Sequence, residues 1–87
     1  MWNRETQERI EKSNKRYAKF IGSLDVQTRL AFEQDFVSDL HSESASKNII
    51  TCSNTVRNIR YNRTYALPYV HIINRLAQKY GYKKKIW

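Results

Sequence analysis

Tyr69 to Tyr80 reads YVHIINRLAQKY, and its spacing decides the fold. At about 100° per residue, Tyr69, Ile72, Ile73, Leu76, Ala77 and Tyr80 share one arc, with Val70 at its border. His71, Asn74, Arg75, Gln78 and Lys79 take the other arc. The pattern predicts an amphipathic helix. Pro68 is acceptable in its first turn, Thr64 or a residue just before Pro68 can cap it, and Gly81 can end it.

The same period recurs upstream. Val26 to about His41 places Val26, Leu30, Phe36, Val37 and Leu40 on one broad face, with Phe32 at its edge and Ser23 or Asp25 as the cap. Arg29 and Glu33 are spaced to pair at the margin of that face, while Asp35 and Asp39 form an outward one. Asn3 to Ile21 reads as a first helix, capped by Asn3 and closed by Gly22 at the C′ position. Glu5–Arg9, Glu8–Lys12 and Glu11–Lys15 are i,i+4 pairs in the favourable order. Its apolar stripe is thin: Ile10, Tyr17 and Ile21 align, but Ser13 and Asn14 interrupt them. No strand alternation competes with these periods, and two glycines with one proline do not suit a turn-rich sandwich. The expectation is an all-α single domain of four to five helices across residues 1–87. A chain of this size buries roughly 60–65% of the surface its unfolded form exposes, so its core is modest.

Charge divides the chain. Met1 to Glu43 holds seven bases against eight acids; Ser44 to Trp87 holds nine bases and no acid, which leaves +8 overall. Five of the acids lie between Asp25 and Glu43, so the second helix is the one acidic element, suited to packing beside the basic half and partly neutralising it. Ser42 to Ser46 is small and polar and serves as the connection between the near-neutral support and the basic half.

Asn48 to Arg63 (NIITCSNTVRNIRYNR) lies at the centre of the basic half. Ala45 to Ile50 as a short helix, Thr51 to Ser53 as a turn and Asn54 to Asn62 as a second helix give an outline that resembles a helix-turn-helix unit over 45–62. Ala45 and Ile49 take the buried positions of its first helix, Val56 and Ile59 those of the second. Asn54, Arg57, Asn58 and Tyr61 then share the outer face, flanked by Arg60 and followed by Arg63. Arginine can bond a guanine edge in bidentate fashion and asparagine an adenine edge. Cationic side chains neutralise phosphates and release counterions, and tyrosines among arginines can stack on unpaired bases. Lys83, Lys84 and Lys85 extend the basic surface into a tail read as a flexible ammonium run, closed by Trp87. Tyr61, Tyr65 and Tyr69 are four apart, but Pro68 interrupts any continuous face; Tyr65 and Tyr69 read as core aromatics.

Other chemistry finds little support. His41 and His71 have no motif-spaced carboxylate or thiol and read as surface histidines, and Cys52 reads as a small buried thiol. One cysteine and two scattered histidines do not compose a metal site, and no glycine-rich loop cradles a phosphate-bearing cofactor. No apolar run approaches the ~18 residues of a membrane span. The charged start from Arg4 onward lacks a signal-peptide core, and Glu5, Glu8 and Glu11 do not suit organelle import; an intracellular setting is expected. The leading expectation is therefore a non-enzymatic nucleic-acid-binding module, for DNA or RNA, with no cofactor and no metal. Its phosphate contacts would come from Arg57, Arg60, Arg63 and the tail lysines, and its base contacts from Asn54, Asn58 and Tyr61. The alternative is a small basic protein-binding partner, either an accessory subunit of a large assembly or a compact inhibitor. Trp2, Trp87 and the core-poor first helix support that reading.

Overall fold

A computed structural model describes residues 4–44 and 47–86. The expected cap Asn3, the terminal aromatics Trp2 and Trp87, and Ala45 lie outside the described residues. Helices α1 (Arg4–Ser13), α2 (Lys15–Gly22), α3 (Val26–Glu43), α4 (Ile49–Arg60) and α5 (Val70–Lys79) form an all-α domain, with a 3-10 turn at Leu67–Tyr69 leading into α5. The expected fold class is the observed one.

Asp25 caps α3 by accepting the Thr28 N–H at 2.7 Å. Phe32, Phe36 and Leu40, each four residues from the next, form the buried row of α3. Val26 and Leu30, expected in the core, are instead 60% and 50% exposed. Phe36 and Leu40 pack as expected, joined by Phe32 from the edge of the arc, and only its Val26–Leu30 side faces out. Phe32 meets Phe20 at 5.2 Å and Phe36 at 6.3 Å, both edge-on, and Tyr69 closes on Phe36 at 6.3 Å. Such ring pairs contribute about 0.5–1.5 kcal/mol each beyond their buried area. Ile72, Ile73, Leu76 and Ala77 supply the α5 side of the core, as their period predicts. Tyr69 packs as expected, whereas Tyr65 is an exposed residue of the connecting loop.

Asn14 does more than interrupt a stripe. It is 1% exposed and sits between Ile10 and Tyr17 at core spacing, with φ −87° and ψ 2°, which separates α1 from α2. Its Nδ2 donates to the Thr64 carbonyl at 2.9 Å and to Asn62 Oδ1 at 3.3 Å, and its Oδ1 accepts the Ala66 N–H at 2.8 Å. One amide thus satisfies a loop about 50 residues away in the chain. Gly22 ends α2 within the helix rather than in a left-handed cap. Of the expected surface pairs, Glu5–Arg9 closes at 3.0 Å, and Glu11 takes Gln7 in place of Lys15.

Asp35 and Asp39 do not form an outward face; they belong to a ladder. Asp35, Asp39 and Glu43 on α3 repeat every four residues, as do His71, Arg75 and Lys79 on α5. The two rows run antiparallel. Glu43 meets His71 at 2.8 Å and Arg75 at 3.1 Å, Asp39 meets Arg75 at 3.1 Å, and Asp35 meets Lys79 at 3.0 Å. The Tyr80 hydroxyl adds a 2.6 Å bond to Asp35. On α4, Arg60 lies 3.4 Å from Glu33, which takes it in place of Arg29. The acidic helix therefore neutralises part of the basic half. Each pair is partly solvated, so each adds little to stability.

Two measurements test this framework. Asn14→Ala leaves the Ala66 N–H and the Thr64 carbonyl without their partner, so denaturant unfolding should show a loss of about 1–3 kcal/mol for each buried group stranded. The second concerns pH. Hydrogen bonds hold three carboxyls below the ordinary range: from Tyr80 and then Lys79 at Asp35, from His71 and then Arg75 at Glu43, and from Thr28 at Asp25. The Asp35 bond pushes the Tyr80 phenol up to about 12. A depressed carboxyl stabilises the fold above its unfolded value, and that contribution is lost as pH falls through the folded one; a raised phenol stabilises below about 10 and loses its contribution towards 12. Stability should be flat across neutral pH and fall on both sides. Asp35→Asn should return the Tyr80 phenolate absorbance transition towards about 10; an unmoved transition would refute the bond.

Candidate nucleic-acid interface

The interface builds on α4, and α4 differs from the sequence expectation. Asn48 caps it by accepting the Thr51 N–H at 2.8 Å, and the helix runs unbroken from Ile49 to Arg60. Thr51 to Ser53 lies within its first two turns and is not the turn of a helix-turn-helix unit. The reason is the apolar row: Cys52, Val56 and Ile59 are all buried at helical spacing, so the core requires a helix through Cys52. Ile49, expected to be buried, is 49% exposed. Cys52 is a free buried thiol, as read.

The C-terminus of α4 sets the geometry that follows. Asn62 adopts φ 57°, Arg63 N–H bonds the Asn58 carbonyl at 2.8 Å, and Asn62 N–H bonds the Ile59 carbonyl at 3.1 Å. This is a Schellman cap with asparagine in the left-handed position, a residue tolerated there after glycine. The chain reverses and carries Arg63 back beside Tyr61. The Arg60 and Arg63 guanidinium carbons lie 5.7 and 5.9 Å from the Tyr61 ring centroid, within cation–π range. Tyr61 is 56% exposed, so the ring remains accessible to a ligand.

An open cleft of about 640 Å³ lies between α3 and α4. Leu30, Val37 and Val56 give it an apolar part, while Arg57, Arg60, Arg63 and Tyr61 give it a cationic and aromatic part. Glu33 is the carboxylate of its lining, and Arg60 faces it at 3.4 Å, too long for a strong bond. Arg57 has no carboxylate partner among the described residues. The structure thus gathers four of the expected residues: Arg57, Arg60, Tyr61 and Arg63. Asn54 is exposed and Asn58 half-buried, and neither lines the cleft.

The tail lysines form a separate feature. Gly81, at φ 89°, ends α5 in a second Schellman cap, with Tyr82 N–H on the Ala77 carbonyl at 2.9 Å and Gly81 N–H on the Gln78 carbonyl at 3.0 Å. Tyr82 then stacks edge-on against Phe20 at 5.0 Å. Ile86 is buried, and its N–H donates to Asn74 Oδ1 at 2.7 Å. Lys83, Lys84 and Lys85 are exposed between these two anchors, so they are not the flexible run expected from sequence.

Leu30, which the sequence assigned to the core, is an exposed member of the cleft, while Val37 packs against the core as expected and also lines the cleft. His41 and His71 are exposed, as read, and His71 engages Glu43. Among the described residues no group of histidine, cysteine and carboxylate side chains is placed to hold a metal ion, and no helix is long and apolar enough to cross a membrane. Comparison with protein-family models, with curated proteins and with solved structures finds no match to this chain.

Proposed function

We propose that the chain is a non-enzymatic nucleic-acid-binding module acting inside the cell, with the cationic rim of the α3–α4 cleft as its binding surface. One observation carries the reading. Tyr61 presents an exposed ring with two guanidiniums within cation–π range, and Arg57 lies on the same cleft without an acid of its own among the described residues. Arginines of this kind neutralise phosphates and release counterions, which gives affinity independent of sequence. An accessible tyrosine adds base stacking, at about 1–3 kcal/mol per base on single strands. Asn54 and Asn58 offer amides for base edges from elsewhere on α4, and Lys83–Lys85 supply further charge. The internal pairing supports the selection of residues: α3 carboxylates engage Arg60, Arg75 and Lys79, whereas Lys47, Arg57, Arg63 and the tail lysines have none among the described residues.

A second reading has its own support. Leu30, Ile49, Ile50 and Leu67 are 50%, 49%, 67% and 55% exposed. Apolar surface beside arginine and tyrosine also suits a protein partner. Under that reading the chain is an accessory subunit or a compact inhibitor.

Electrophoretic mobility shift with duplex DNA, single-stranded DNA and structured RNA at two salt concentrations separates them. Arg57→Ala and Arg63→Ala should each lower the salt slope by about one unit and weaken all sequences alike. Tyr61→Ala should cost about 1–3 kcal/mol on single strands, and Tyr61→Phe much less. Melting temperatures should hold for Arg57→Ala, since its side chain is exposed. Absence of binding to every nucleic acid at low salt would end this proposal in favour of the protein-binding one.

A further inference from the structure

The α3–α4 cleft carries more than phosphate binding requires. Phosphates need only the charge that Arg57, Arg60 and Arg63 supply at its rim. Leu30 and Val37 of α3 add apolar lining that a phosphate cannot use. Leu30 is half exposed, so this part of the lining is open to a ligand. The volume, about 640 Å³, lies within the ~300–1,000 Å³ of sites that hold small organic molecules.

Glu33 sharpens the contrast. Its carboxylate lines the same cleft, and Arg60 offsets its charge only in part from 3.4 Å. A phosphate entering beside it would meet a like charge, which is costly. Phosphates therefore belong on the rim, and the interior suits a group that is uncharged, flat and largely apolar. A nucleobase has those properties, and its amino groups donate to a carboxylate. Tyr61 and the exposed Leu30 offer such a ring one aromatic and one aliphatic surface.

We infer that the cleft takes unpaired bases of a single strand, with a base packed on Tyr61 and Leu30 and the flanking phosphates on Arg57 and Arg63. The inference rests on the nucleic-acid reading above and narrows it to single-stranded segments, of DNA or RNA. A duplex presents its phosphates to the same arginines but keeps its bases stacked and paired. It must break both interactions before it can offer a base to the cleft.

Fluorescence anisotropy of the full chain tests this with labelled oligonucleotides of one length: single-stranded DNA, single-stranded RNA, duplex DNA and an abasic single strand. The abasic strand keeps the phosphates and removes only the bases. The intact strands should bind about tenfold or more tighter than the abasic one, the worth of a stacked base, and tighter than the duplex. Leu30→Gln, at an exposed position, should weaken the intact strands about fourfold, the worth of one buried methylene, and leave the abasic strand unchanged. Arg57→Ala should weaken every oligonucleotide alike. Either order of DNA and RNA supports the cleft, and a preference for RNA marks a contact to the 2′-hydroxyl. Equal affinity of wild type for intact and abasic strands, or for strand and duplex, would overturn the inference and leave the phosphate-binding reading standing. That comparison needs no variant, so it decides even if Leu30→Gln fails to fold. Absence of binding to all of them at low salt would end both and leave the cleft to a protein partner.

Discussion

The buried amide of Asn14 ties the two ends of the fold together. Its three hydrogen bonds, to Asn62, Thr64 and Ala66, join the α1–α2 break to the loop between α4 and α5. A buried amide is costly when unpaired and strong when each group is matched, because the low local dielectric acts in both directions. This constraint reaches the candidate interface directly. Asn62 is the left-handed cap of α4, and that cap returns Arg63 to the Tyr61 ring. The first two helices thereby fix where two arginines and a tyrosine stand.

The acidic helix has a second structural task. Placed between α4 and α5, α3 spends its carboxylates on Arg60, Arg75, Lys79 and His71, and so sorts the bases of the second half into paired and free. Net charge alone does not make that distinction. A basic face can serve solubility wherever it is paired internally; the unpaired cations beside an accessible ring are those with chemistry to offer.

What was legible in the sequence follows from how local each signal is. The period of Tyr69–Tyr80 and the cap at Asp25 depend on neighbours in the chain, and both appear as read. The helix-turn-helix outline breaks the helix at Thr51 to Ser53, whereas Cys52 continues the buried row to Val56 and Ile59. Counting cysteine as a small apolar residue, with Asn48 as cap, would have given one helix. Asn14 was read as a flaw in a stripe because its partners lie about 50 residues away, and no local pattern reveals such a bond. The candidate site was legible in the same proportion. Arg57, Arg60, Tyr61 and Arg63 are near in sequence and meet on one cleft; Leu30 joins them only through the packing of α3 on α4, and the tail lysines stand apart.

The fixed tail changes how its three lysines behave thermodynamically. A loose run of ammoniums must surrender conformational freedom when it meets an acidic surface, and that loss subtracts from every contact it gains. Here the backbone on either side of Lys83–Lys85 is already tied, at Tyr82 against Phe20 and at Ile86 against Asn74. The segment is an arch and not a tether. Its backbone entropy is spent during folding, so an acidic partner would meet charges at a set spacing, with side-chain rotamers the main freedom left to lose. Such an arch also has a short reach: it can engage only what comes to the surface of α5 and α2.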